Sequence, residues 1–122
     1  MRTRLRCVYC DLDAVLRDPL GGRALEACHR AEVEVVLLMG DERADVAREL
    51  GARDWIHDGG LVLDGEPLGT GPGEGIAAHM QARGLVPEAC LAVGAPDAPA
   101  GMPVRDAGFY EAVITELMER RG

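Results

Sequence analysis

A chain of 122 residues that is 48% apolar and 28% charged but only 3% aromatic has the length of one domain and an interior that Val, Leu, Ala and Met must fill. Thirteen basic against twenty-one acidic residues leave a net charge of −8. No Lys/Arg cluster is interleaved with aromatics, which excludes nucleic acid and an anionic membrane surface as expected partners.

Residues 5–9 form a short apolar run leading into acids, the pattern of a buried parallel strand that ends where a site begins. A loop punctuated by Pro19, Gly21 and Gly22 is expected next, then a helix over about 23–31 with Ala24, Leu25, Ala27 and Cys28 on its apolar stripe. The β-branched run 33–39 predicts a central strand, broken by Gly40 and Asp41. Val46, Ala47 and Leu50 mark a helix over 42–50 closed by Gly51. Trp55-Ile56-His57 reads as a short strand, and 61–68 as a hairpin turning on Asp64-Gly65. A helix over 75–83, a strand over 89–93, a short strand at Val104 and a helix over 108–120 complete the chain. Alternating strands and helices predict a Rossmann-like three-layer α/β sandwich. It has a mostly parallel sheet of about five strands, helices on both faces and a small β-hairpin, as one domain over 1–122.

No apolar run approaches the ~20 residues of a membrane span, and acids interrupt the N-terminal apolar stretch too early for a secretory leader. A cytoplasmic protein is expected. Cys7-x-x-Cys10 has zinc-ligand spacing, with Cys28-His29 downstream. Strand positions three apart face opposite sides, however, and cannot close on one metal without a turn. The four cysteines, with Cys90, therefore read as small core residues with free thiols. His29, His57 and His79 read as surface or helix-face residues without a role, and Trp55 as core.

In doubly wound sheets ligands bind beyond the carboxyl ends of the central strands. The residues to inspect are Asp11 and Asp13, Gly40 and Asp41, and Gly94 to Asp97. Two carboxylates two residues apart after a strand can face one cavity, one attacking phosphorus or holding Mg2+ and the other moving a proton. The same spacing also arises in an ordinary Asx-turn.

The segment Val8-Tyr9-Cys10-Asp11-Leu12-Asp13-Ala14-Val15-Leu16 resembles the first motif of the haloacid dehalogenase (HAD) superfamily, an apolar strand followed by Asp-x-Asp-Gly-Thr-Leu. ALEACHRAEVEVVLLMG, WIHDGGLVLDG and GIAAHMQARGLVPEACLAVG resemble, in order, later segments of that family's core. The resemblance implies that Asp11 is the nucleophile forming an aspartyl-phosphate and Asp13 the general acid and base. Mg2+ would be held by Asp11 and the Asp13 carbonyl. Gly40 and Arg105 are then the substrate-binding candidates and Asp97 a further metal ligand.

Departures from the family pattern lie at the site. Gly-Thr after the second Asp is Ala14-Val15, and the phosphate-binding Ser/Thr at the end of strand two is Met39, which has no donor. Asp41 stands where an Arg often follows. The chain has no Lys, so only an Arg such as Arg83 or Arg105 is available for the family's motif lysine. The fourth motif's Gly-Asp is Gly94-Ala95, and only GTGPGEG stands where capped relatives carry a cap domain. Three readings follow. One is a HAD-like domain with little or no phosphatase activity and at most a divalent-cation role. Another is an active Mg-dependent phosphomonoesterase or phosphotransferase acting on a small phosphorylated molecule. The last is an interaction subunit, self-associating or covered by a protein partner over the open site.

Overall fold

The computed structural model describes residues 3–57, 59–69, 74–95, 98–106 and 108–120, with the backbone alone at residue 41. Its strands are β1 (Cys7–Asp11), β2 (Glu34–Met39), β3 (Trp55–His57), β4 (Gly60–Leu63), β5 (Glu66–Pro67), β6 (Cys90–Val93) and β7 (Val104–Arg105). Its helices are α1 (Leu12–Arg17), α2 (Gly21–Arg30), α3 (Ala44–Glu49), α4 (Gly75–Arg83) and α5 (Phe109–Glu119). The strands form one sheet in the order β5-β4-β3-β2-β1-β6-β7. Pairs from β3 through β7 by way of β2, β1 and β6 are parallel, while β4 and β5 add antiparallel strands at the β3 edge. The described residues thus form a mixed α/β structure with a mostly parallel sheet.

The period-two alternation of a strand sends β1 into two separate cores. Val8 and Cys10 face a cluster with Leu12 and Val15 of α1, Ala24 and Cys28 of α2, Ala47 of α3, and Phe109, Ala112 and Val113 of α5. Cys7 and Tyr9 face the other side with Val36, Ile56, Ile76 and Met80, the last two from α4. Helices therefore cover both faces unequally. Full burial of each Leu-, Val- or Phe-sized side chain in these cores contributes about 1.5–3 kcal/mol. Cys7 and Cys10 lie on opposite faces, as their spacing requires, and all four cysteines are buried. Trp55 is 6% exposed, in the first cluster.

Several boundaries differ from expectation. β1 starts and ends two residues later than the apolar run, because Cys10 and Asp11 still pair with Leu37 and Leu38 of β2. In place of a loop after β1, α1 starts at once: Asp11 is its N-cap and Leu12 and Val15 bury its inner face. The helix expected over 42–50 is split into a 3₁₀ turn, Asp41–Arg43, and α3. The sheet has seven strands where about five were expected, because the hairpin joins it as its edge. That hairpin turns on Asp64 (φ 51°) and Gly65 (φ 85°), two left-handed residues that give the twist a two-residue β-turn needs. At the start of α4, a Cβ on Gly75 would stand 2.7 Å from Ile56 Cγ2, so only glycine lets the helix approach β3 this closely. Among the described residues no helix is long and apolar enough to cross a membrane.

Candidate functional site

At the carboxyl edge of the sheet, Asp11 ends β1 and accepts a hydrogen bond from the Asp13 amide at 3.3 Å through Oδ1. This satisfies one of the otherwise unpaired donors at the start of α1. Gly94 follows β6 with φ 65°, and a Cβ there would lie 3.6 Å from the Asp11 Cβ and 3.9 Å from that of Ala14. Asp11, Ala14 and Gly94 therefore meet, joining the ends of β1 and β6. Asp13 sits in the first turn of α1, exposed, with Oδ1 ion-paired to Arg43 from the 3₁₀ turn after β2. Its carbonyl accepts from Arg17 Nε at 3.2 Å. Gly40 follows β2, and the Glu42 carboxylate folds over it: both oxygens would lie 3.0 Å from a Cβ at Gly40.

These placements bear directly on Mg2+, which requires a near-octahedral set of hard oxygens. The Asp13 carbonyl lies inside a helix, directed along its axis and held by Arg17. The Asp13 carboxylate is held by a guanidinium, and one Asp11 oxygen caps α1. As placed, these donors do not assemble the set that the ion needs. Asp97 lies outside the described residues, as does the Asp41 side chain. Met39 is buried in the apolar cluster, with no donor to offer a phosphate.

Arg105 and Arg83 are committed elsewhere. Arg105 donates to Glu116 Oε1 at 2.8 Å and to Glu119 Oε2 at 3.0 Å on α5. Glu116 is 1% exposed and also receives Arg120 Nε at 2.7 Å. Burial pushes the Glu116 carboxyl up, but Arg120 and then Arg105 more than offset this and hold it below the ordinary glutamate range. Arg83 reaches the opposite, amino edge of the sheet.

That amino edge carries a polar cluster that the sequence reading passed over. His79, read as a surface or helix-face residue, is fully buried on α4. Its Nδ1 lies 2.7 Å from the Tyr9 hydroxyl, and the rings meet edge-to-face at 5.4 Å. Its Nε2 lies 3.3 Å from Asp54 Oδ2 and 3.4 Å from Glu34 Oε2. Arg83 Nη2 donates to Asp54 Oδ2 at 2.5 Å and lies 3.4 Å from both Glu34 Oε2 and Asp64 Oδ1. The Asp64 amide donates to Asp54 Oδ1 at 2.6 Å. Burial alone would raise the Asp54 carboxyl, yet the hydrogen bond with Glu34, the Asp64 amide and Arg83 hold it down at about 2. Burial, with Cys90 and Glu34 nearby, pushes the Cys7 thiol well up, and burial likewise raises the Tyr9 phenol. One sequence signal was available: His79 lies three residues after Ile76 and beside Met80, on the buried stripe of α4. Its partners, 25 and 70 residues away, carry no local signature.

No family model matches the chain, and no curated protein does. Among solved structures, the crystal structure of a hypothetical protein from Xanthomonas campestris is similar. It superposes with a TM-score of 0.60 at 19% identity, over 96% of this chain and 85% of that one. At this identity the likeness shows the mixed α/β fold and nothing of activity.

Proposed function

We propose that the chain is a HAD-like domain of the Rossmann-like type that retains the phosphotransferase scaffold for binding and has little or no phosphatase turnover. The observation that carries this reading is the Arg43–Asp13 ion pair. The guanidinium engages the Asp13 carboxylate, so that oxygen is already occupied where an acid–base residue must reach a substrate leaving group. The surroundings support the same reading. Glu42 lies over Gly40, where a phosphate dianion would approach the end of β2, and Met39 supplies no hydrogen bond there. Loss of a single preorganised donor costs ~10²–10³ in rate, so the loss of several leaves little turnover. Asp11 beside Gly94 keeps the outline of the family's site, and the β3-β2-β1-β6-β7 order is compatible with its core.

The test is hydrolysis of p-nitrophenyl phosphate with Mg2+ by the wild type, Asp11→Asn and Arg43→Ala. The expected result is the same background rate for all three. Turnover that Asp11→Asn abolishes would overturn the reading and establish an active Mg-dependent phosphomonoesterase.

A further inference from the structure

We propose that Cys7, Glu34 and His79 form a binding site for a divalent transition-metal ion of the zinc class at the amino edge of the sheet, beside Asp54. The site is separate from the aspartates at the carboxyl edge. Within it, one donor atom from each of Cys7, Glu34 and His79 lies within 4.8 Å of the others. A tetrahedral zinc centre with Zn–N and Zn–O of about 2.0–2.1 Å and Zn–S of about 2.3 Å spaces its ligand atoms about 3.3–3.8 Å apart. His79 Nε2 already stands 3.4 Å from Glu34 Oε2 and 3.3 Å from Asp54 Oδ2.

The donor chemistry selects the metal. Thiolate, imidazole and carboxylate together suit zinc and its neighbours, whereas Mg2+ and Ca2+ take oxygen alone. Groups that would orient these ligands are also in place. A histidine bound through Nε2 carries its proton on Nδ1, and the Tyr9 oxygen at 2.7 Å accepts it and fixes the ring. Arg83, paired to Asp54 at 2.5 Å, orients that carboxylate in turn.

Charge balance points the same way. Glu34 and Asp54 place two carboxylates around His79, with Asp64 at the rim, and Arg83 is the guanidinium that meets all three. Arg83 spends one Nη2 on them, and its buried Nε has no hydrogen-bond partner among the described residues. A divalent ion together with Arg83 offsets a Cys7 thiolate and the Glu34 and Asp54 carboxylates, and leaves only Asp64 at the rim uncompensated. The Cys7 proton passes to solvent as the metal–sulfur bond forms. A cavity of about 450 Å³ is lined in part by Glu34, Asp54, Asp64 and Arg83, so the carboxylate side of the cluster borders open space. The Glu34 side chain is 31% exposed.

The experiment is titration of Co2+, then Zn2+, into the chelator-stripped full chain, followed by absorbance. The expected result is one Co2+ per chain, with the visible bands of a tetrahedral site, a thiolate-to-cobalt charge-transfer band and displacement of both by Zn2+. Cys7→Ser abolishes the charge-transfer band, while Cys28→Ala, in the opposite core, retains it. Glu34→Gln, which keeps the side-chain shape and removes the charge, weakens binding at least about tenfold. Absence of the charge-transfer band in the folded wild type overturns the proposal. So does a band that survives Cys7→Ser, or Co2+ affinity unchanged by Glu34→Gln.

Discussion

Glu116 provides a quantitative test of how α5 is held, and of the assignment of Arg105 to structure instead of substrate. Its carboxylate is 1% exposed and lies between Arg120, whose side chain is 3% exposed, and Arg105, whose side chain is 30% exposed. Arg120 Nη1 also donates to the carbonyls of Thr3 and Glu88, tying the last turn of α5 to the amino edge of the sheet. In Glu116→Gln the amide keeps one acceptor but leaves the buried Arg120 without its counter-charge. Breaking such a pair from one side costs about 3–5 kcal/mol, and the retained acceptor places this variant near about 3. Glu116→Ala adds a cavity and moves toward the upper end. Replacing the half-buried Arg105 by Met removes a pair that solvent screens, and costs about 1 kcal/mol. For a chain of this length 1 kcal/mol is about 3–4 °C in Tm, so Glu116→Gln lowers Tm by about 10 °C and Arg105→Met by a third of that.

The pH dependence has a fixed sign. The folded Glu116 pKa lies below its ordinary value of 4.5, so the paired carboxylate contributes stability that is fully present above that value. It is lost as pH falls through the folded pKa. The gap between wild type and Glu116→Gln therefore narrows on acidification. Urea unfolding followed by circular dichroism, at neutral pH and near pH 4, measures both. Glu116→Gln within about 0.5 kcal/mol of wild type at neutral pH would refute the buried-triad account.

Other outcomes follow from single contacts. Tyr9→Phe removes the hydroxyl 2.7 Å from His79 Nδ1 and leaves a buried ring nitrogen unpaired, which lowers stability by about 1–3 kcal/mol in the same assay. Asp18 accepts from the Tyr110 amide at 2.8 Å and the Leu20 amide at 2.9 Å, capping α5 where Gly108 offers no side chain. Those two amides lower its pKa from 3.8, so Asp18→Ala lowers Tm at neutral pH and the difference shrinks as pH falls through the folded value. Gly75→Val drives side-chain carbons into Ile56, because even a Cβ would stand 2.7 Å from Cγ2. The result is a destabilisation of about 1–3 kcal/mol, read by thermal melting.

Where hydrophobic pattern and turn chemistry agreed, the sequence was legible. The run of β-branched residues marks β2, Asp64-Gly65 marks the hairpin, and the expected bounds of α4 are those observed. β1 was displaced because the apolar run expected for it ends at Tyr9, while main-chain pairing with β2 carries on through Cys10 to Asp11. The short α1 escaped notice because only Leu12 and Val15 bury its inner face, although Asp11 as N-cap and Asp13 in the first turn were local signs of a helix start. At the candidate site, the sequence brought Asp11, Asp13, Gly40 and Gly94 to one edge through strand ends alone. Arg43 as the partner of Asp13, and Glu42 over Gly40, depend on the 3₁₀ turn after β2, which no periodicity announces. The His79 cluster was hidden for a related reason. Its donors come from β1, β2, the residue before β3, and α4, and only the parallel sheet brings their amino ends together.

In the proposed reading Asp11 does not act as a metal-assisted nucleophile. The most direct test of that reading is ¹⁹F NMR of the protein with beryllium fluoride, an acyl-phosphate mimic, with and without Mg2+ and beside Asp11→Asn. Only free beryllofluoride signals are expected in every sample. A protein-bound signal that requires Mg2+ and disappears in Asp11→Asn would contradict the reading.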